Sequence, residues 1–139
     1  FSFLSWGYFV PRFSKSVSDA VKLLRFGAPI NLIVLAIIIY LGPKAGAIHW
    51  AIFIVSSIFL SLTQPAVGMA FSLSNAGKAL TSFNLLIFIG AFSLQWIIGL
   101  IIDLGIGLNF SEINSFKLAM VFVLVTSLSS YFYFLVKNK

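Results

Sequence analysis

Three uncharged amides, Gln64, Asn84 and Gln95, stand inside stretches of this sequence that are otherwise apolar. Each offers both a donor and an acceptor. Around the first, the run LTQPAVGMAF adds Pro65 and Gly68 to the amide. Ser57, Ser61, Gln64 and Gly68 follow one another at spacings of four, three and four. At 3.6 residues per turn that spacing predicts one stripe along a helix. Asn84, Phe88, Ala91, Gln95 and Gly99 recur at four, three, four and four. Asn84 and Gln95 are therefore three turns apart and are expected to point the same way. The chemistry available to such groups is hydrogen bonding to a polar solute, a neighbouring helix or water.

Two roles compete at these positions. One is the wall of a path for a solute, with Gln64, Ser61, Ser57, Asn84 and Gln95 as its lining. In that role Pro65 and Gly68 supply a flex point, because proline removes a backbone donor and frees the Ser61 carbonyl four residues earlier. Interrupted membrane helices place solute sites in this way. The other role is packing, with small residues easing helix contact and amides joining helices by bonds of ~0.6 kcal/mol each. Packing is preferred for Ser57 and Ser61, and for Gly90 and Gly99. Both roles stand for Gln64, since polar groups at such depth are functional candidates, and both stand for Asn84 and Gln95.

Other reactive side chains are few. Asp103 is a candidate proton-coupling acid, although a solvated position at a helix end is preferred for it. The same-side cations Lys44 and Lys117 are its candidate partners. Pro29 and Asn31 are expected to shape and pack their helix. His49 is the sole histidine and has no second ligand in view, so it reads as interfacial. Three acids, one histidine and no cysteine leave little for hydrolysis or for a metal. No glycine-rich phosphate loop, HExxH, G-x-S-x-G or acidic pair is present. Neither enzymatic chemistry nor a cofactor or metal site is expected.

The elements that must position the amides follow from composition. Of 139 residues, 60% are hydrophobic and 9% are charged, and the mean hydropathy is +1.10. A soluble domain is about half apolar and about a quarter charged. The apolar residues also fall in runs long enough to cross a bilayer. An all-α, polytopic membrane bundle is predicted, with a partial span at 1–10 and full spans at 23–41, 48–71, 80–102 and 116–136. Hydrocarbon requires each segment to satisfy its own backbone, which favours helices. Gly42-Pro43-Lys44-Ala45-Gly46 reads as a turn, 72–78 as a short polar link and 103–115 as a longer one. The chain is expected to begin within a helix, as the carboxyl-terminal piece of a longer polypeptide.

With alternating spans, one side holds Arg12, Lys15, Lys22, Arg25, Lys78, Lys137 and Lys139. The other holds Lys44 and Lys117 with Asp103 and Glu112. Seven basic residues against two place the first side, and the carboxyl terminus, in the cytoplasm. A multi-pass protein of the inner (plasma) membrane is expected, and the net charge of +6 reflects orientation, not nucleic acid. Trp50 and Tyr40 are expected at the interface, Trp96 between helices, and Phe132, Tyr133 and Phe134 toward lipid.

Four stretches resemble the carboxyl-terminal part of bacterial major facilitator superfamily transporters. Gly7-Tyr8-Phe9-Val10-Pro11-Arg12-Phe13-Ser14-Lys15 is similar to the family's cytoplasmic loop between helices eight and nine, with Gly7, Arg12 and Lys15 at its glycine and basic positions. Pro11 stands where that motif has aspartate, so the acid's contact cannot form in its usual way. Gly77-Lys78-Ala79-Leu80 is similar to the opening of helix eleven. SLTQPAVGMAF and ALTSFNLLIFIGAFSLQWIIGLIID look like helices ten and eleven. The resemblance implies a partial carboxyl-terminal half of that fold, from the end of helix eight to helix twelve. It implies a permease that moves a small solute by alternating access, coupled to H+ or Na+, and completed by the amino-terminal half of the same protein. In such proteins helix ten lines the central cavity and helix eleven lies where the halves meet. The alternative is a non-catalytic membrane anchor or assembly subunit whose polar residues only join helices.

Overall fold

The computed structural model describes residues 16–138. The expected partial span at 1–10 and the loop residues Gly7, Arg12 and Lys15 lie outside the described residues. Among those described, all regular structure is helical. Helix α1 is Val17–Leu41, followed by a 3-10 turn at Gly42–Lys44. The second crossing comes in three pieces: α2 at Ala47–Ser56, a 3-10 helix at Ser57–Leu62, and α3 at Thr63–Met69. Helix α4 is Leu73–Gly107 and α5 is Glu112–Lys137. Four crossings are long and apolar enough to span a membrane, Val17–Lys44, Ala47–Met69, Leu73–Gly107 and Glu112–Lys137. The chain is a multi-pass helical membrane protein.

Helix α1 is the hub. Its buried residues Ala20, Leu24, Gly27, Ala28, Asn31, Leu35, Ile38 and Ile39 form one face that packs against the second crossing and α5. Lipid tails are as apolar as leucine, so helices in a bilayer gain from close packing at small residues. Gly27 provides the tightest such point. A Cβ there would lie 2.2 Å from Cγ of Phe59, so the Phe59 ring occupies the place of a side chain. Asn31 locks the same interface. It donates to the Phe53 carbonyl at 3.1 Å and to Ser56 Oγ at 3.0 Å, which is the packing role expected for it.

Helix α4 joins the bundle through α3 and α5, and Gly105 is its one buried residue. The α4–α5 hairpin is closed by backbone geometry. Phe110 N–H donates to the Gly105 carbonyl at 3.0 Å and Asn109 N–H to Ile106 at 2.9 Å, with Asn109 at φ +62°. That is the left-handed Schellman ending of a helix. Ser111 then caps α5 by accepting from Asn114 N–H at 3.3 Å. Gly105 lets the two helices meet, since a Cβ there would lie 2.5 Å from Ser115 Oγ.

The helices overrun the apolar windows. Helix α1 starts at Val17, not 23, because Ser16 caps it by accepting from Asp19 N–H at 3.2 Å. The polar link expected at 72–78 is helical from Leu73, and α4 continues to Gly107. At 35 residues it is about 52 Å long, well beyond a hydrocarbon core of about 30 Å. Apolarity marks the hydrocarbon slab, whereas a helical backbone keeps bonding to itself in water. The positions on α4 expected to pack have no neighbour in place among the described residues. Among the described residues nothing lies within 4 Å of a Cβ built at Gly90 or Gly99, and Trp96 is 63% exposed.

Candidate functional site

The amides of adjacent crossings meet. Gln64 Nε2 donates to Asn84 Oδ1 at 3.1 Å, joining α3 to α4. Both residues are exposed. Gln64 Oε1 and the Asn84 amide nitrogen keep their second functions free among the described residues. The pair thus leaves the Gln64 carbonyl as an acceptor and amide N–H groups of both residues as donors. In lipid, each unsatisfied group of this kind costs several kcal/mol.

Depth follows from the helix rise. Gln64 is five residues before the end of α3, and Asn84 is six residues beyond Lys78. At 1.5 Å per residue the pair lies about 9 Å from the level of Lys78. It is therefore off the midplane, toward the Lys78 end of the bundle. Gln95 is exposed on the same face of the continuous α4, about 16 Å farther along it. It makes no hydrogen bond among the described residues.

The predicted α-helical stripe through Ser57, Ser61 and Gln64 is interrupted at Ser57 by a change of helix type. Four hydroxyls in this crossing bond to carbonyls three residues back. Ser56 reaches Phe53 at 2.9 Å, while Ser57, Ser61 and Thr63 reach Ile54, Ile58 and Leu60 at 2.7 Å. Such back-bonding competes with the ordinary ladder, and Pro65 removes a further donor from it. The outcome is the 3-10 stretch Ser57–Leu62. Each 3-10 residue turns roughly 20° farther than an α-helical one, so Ser57 swings out of line with Gln64, while Ser61, three residues before it, stays on nearly the same side. Their hydroxyl hydrogens are spent on their own helix. The break in the helix thus precedes Pro65, and Gly68 sits within α3, where an added Cβ would lie at ordinary contact, 3.5 Å, from Leu80 Cδ1.

Asp103 is exposed, one turn before the end of α4. It pairs with neither Lys44 nor Lys117 among the described residues. His49 Nδ1 is buried without a partner among those residues. No group of three His, Cys, Asp or Glu among them could hold a metal ion.

Sequence reasoning missed a cavity of about 470 Å³ inside the bundle, between α1, the second crossing, α4 and α5. Asn31, Thr63, Ser127, Ser130 and Tyr131 give it polar groups. Thr126 and Ser129 bond back to the Val123 and Val125 carbonyls, at 3.3 and 2.9 Å. Ser127 and Ser130 do not, and their hydroxyls are free among the described residues. Tyr131 Oη donates to the Arg25 carbonyl at 2.7 Å. The serines alternate with apolar residues in a way that carries no sequence signal, because which face of α5 meets α1 is a tertiary fact.

Every polar group at the amide pair and in this cavity, Asn31 to Tyr131, is uncharged. The arrangement can hold a polar solute by hydrogen bonds and offers no nucleophile–base pair. Compared with known protein families, characterised proteins and solved structures, the chain matches none.

Proposed function

We propose that this chain is the carboxyl-terminal part of a secondary transporter of the major facilitator type, which carries a small solute across the plasma membrane by alternating access. The observation that carries the reading is the exposed Gln64–Asn84 pair. Its free donors and acceptor, within the membrane, call for water or solute on that face. The resemblance of the two crossings that bear it to helices ten and eleven supports the same reading. In this reading the cytoplasmic side is the one holding Lys78 and the carboxyl terminus. The 3-10 stretch beside Gln64 is where the crossing bends as the path changes sides, and the preceding spans complete the cavity. The movement is coupled to a proton or sodium ion, and Asp103 is the candidate coupling acid of this segment.

The anchor alternative draws on the buried Asn31–Ser56 bond, a polar contact whose role is to join helices. The two readings separate on one measurement. In the full-length protein, Gln64→Ala is expected to abolish solute uptake while the membrane level stays near normal. Unchanged uptake, or loss of the protein itself, would count for the anchor.

A further inference from the structure

At the opposite end of the bundle from Lys78 is a second cavity, of about 340 Å³. Three helix ends meet there. Ile39 and Pro43 come from the close of the first crossing, Trp50 from α2, and Glu112, Phe116 and Lys117 from the start of α5. The walls are apolar and the rim holds one anion and one cation. Glu112 and Lys117 form no ion pair among the described residues. Their spacing of five places them about 140° apart around the helix, so they reach the cavity from different sides.

The level of this cavity decides what fits it. It lies where crossings end, which in a bilayer is the headgroup region. Trp50, with its polar nitrogen and apolar ring, suits that depth. Ile113 and Phe116 are 56% and 54% exposed, so the apolar wall runs outward onto the surface where acyl chains lie.

We propose that this cavity binds a phospholipid whose headgroup carries a primary ammonium beside its phosphate. Lys117 takes the phosphate, Glu112 takes the ammonium, and the wall of Ile39, Ile113 and Phe116 takes the upper acyl chain. A glycerol headgroup leaves Glu112 facing an anion with no counter-charge. A choline headgroup carries the charge but has no N–H to donate. The inference is independent of the transport proposal, because it needs only the packing of α5 against Trp50 and the end of α1.

Lipid competition read by mass spectrometry on the full-length protein tests it, with dioleoyl phosphatidylethanolamine, phosphatidylglycerol and phosphatidylcholine as probes. The expected result is retention of phosphatidylethanolamine over the other two by about fivefold, the scale of one partly exposed charge contact. Glu112→Gln removes that preference, and Lys117→Gln lowers retention of all three lipids. Lys137→Gln, at the other end of the bundle, changes neither. Equal retention of the three lipids by the unaltered protein, or an undiminished preference in Glu112→Gln, overturns the proposal. Both substitutions are at exposed positions and leave the fold in place.

Discussion

The Tyr131 hydroxyl donates to the backbone carbonyl of Arg25 at 2.7 Å, and that carbonyl is the one Pro29 leaves without a helical donor. Helix α1 runs unbroken through Pro29. A proline inside a membrane helix is tolerated where a neighbour satisfies the freed group, and here the neighbour is α5. The same end of the bundle is tied a second time, by Arg25 Nη2 donating to the Asn138 carbonyl at the close of α5. A cation there also faces the negative end of the α5 dipole.

This relationship predicts a conditional effect. Tyr131→Phe is expected to destabilise the bundle by about 1 kcal/mol, the usual worth of one such bond. In a Pro29→Ala background residue 29 regains its N–H, which can bond to the Arg25 carbonyl. The cost of Tyr131→Phe then falls to less than half. Equilibrium unfolding in mixed detergent, arranged as a double-mutant cycle, measures the difference. Equal costs in the two backgrounds would show that the hydroxyl is not replacing the missing donor.

Glycines in this chain should respond in opposite ways. Gly27→Ala drives a methyl onto the Phe59 ring and its Cβ, 2.2 and 2.7 Å away. Backbone or ring must shift, at a cost of about 1–3 kcal/mol. Shortening the neighbour with Phe59→Ala should recover part of that loss. Gly90→Ala meets nothing within 4 Å among the described residues and is expected to be neutral, or to gain up to ~1 kcal/mol from helix propensity. Thermal unfolding of the purified variants separates the two. Equal destabilisation by both would contradict the packing described for α1.

The contrast shows what the sequence carried and what it did not. Four crossings were legible because hydrocarbon demands long apolar runs, and Gln64 and Asn84 stood out as exceptions within them. Their contact was not legible. It depends on how α3 and α4 are set side by side, and on the twist that Ser57–Leu62 adds. A 3.6-residue period was the wrong ruler for that stretch, although its serines, threonine and proline were visible as competitors for backbone carbonyls. Which glycines pack within the described helices was not legible for a related reason. Gly27 and Gly105 differ from Gly90 and Gly99 only in what lies opposite, which is not written nearby in the chain. The two ends of the α1–α5 clamp, Arg25 and Tyr131, are 106 residues apart.

Asn109 holds the α4–α5 turn at φ +62°. Asparagine accepts this conformation more readily than most residues, and glycine accepts it without strain. Asn109→Gly is therefore expected to preserve stability. Asn109→Val, branched at Cβ, should cost about 1–3 kcal/mol and loosen the Gly105–Ser115 contact below it. Hydrogen exchange at the Phe110 amide, which donates to Gly105, reports the loosening directly. Unchanged protection in the valine variant would remove the turn from the account of how α4 is held.

The exposed face of α4 can be examined with single introduced thiols, because these 139 residues contain no cysteine and any in the preceding spans are first replaced by serine. Single thiols introduced as Asn84→Cys and Gln95→Cys occupy one face of one helix, three turns apart. A maleimide reacts with the thiolate, which forms where water reaches the sulfur. If that face borders an aqueous path, both positions label with a charged maleimide in intact membranes, and saturating solute slows the reaction at Asn84→Cys more than at Gln95→Cys. Phe132→Cys, on the outward face of α5 at 61% exposure, serves as the lipid-facing comparison and should label at least tenfold more slowly. Sidedness comes from the same variants. Asn84 lies about 9 Å from the level of Lys78, so reagent reaching it first from the cytoplasm agrees with the excess of basic residues at that end. Uniformly slow labelling at Asn84, Gln95 and Phe132 would place the amides against acyl chains, and the pair would then be a joint between helices instead of part of a path.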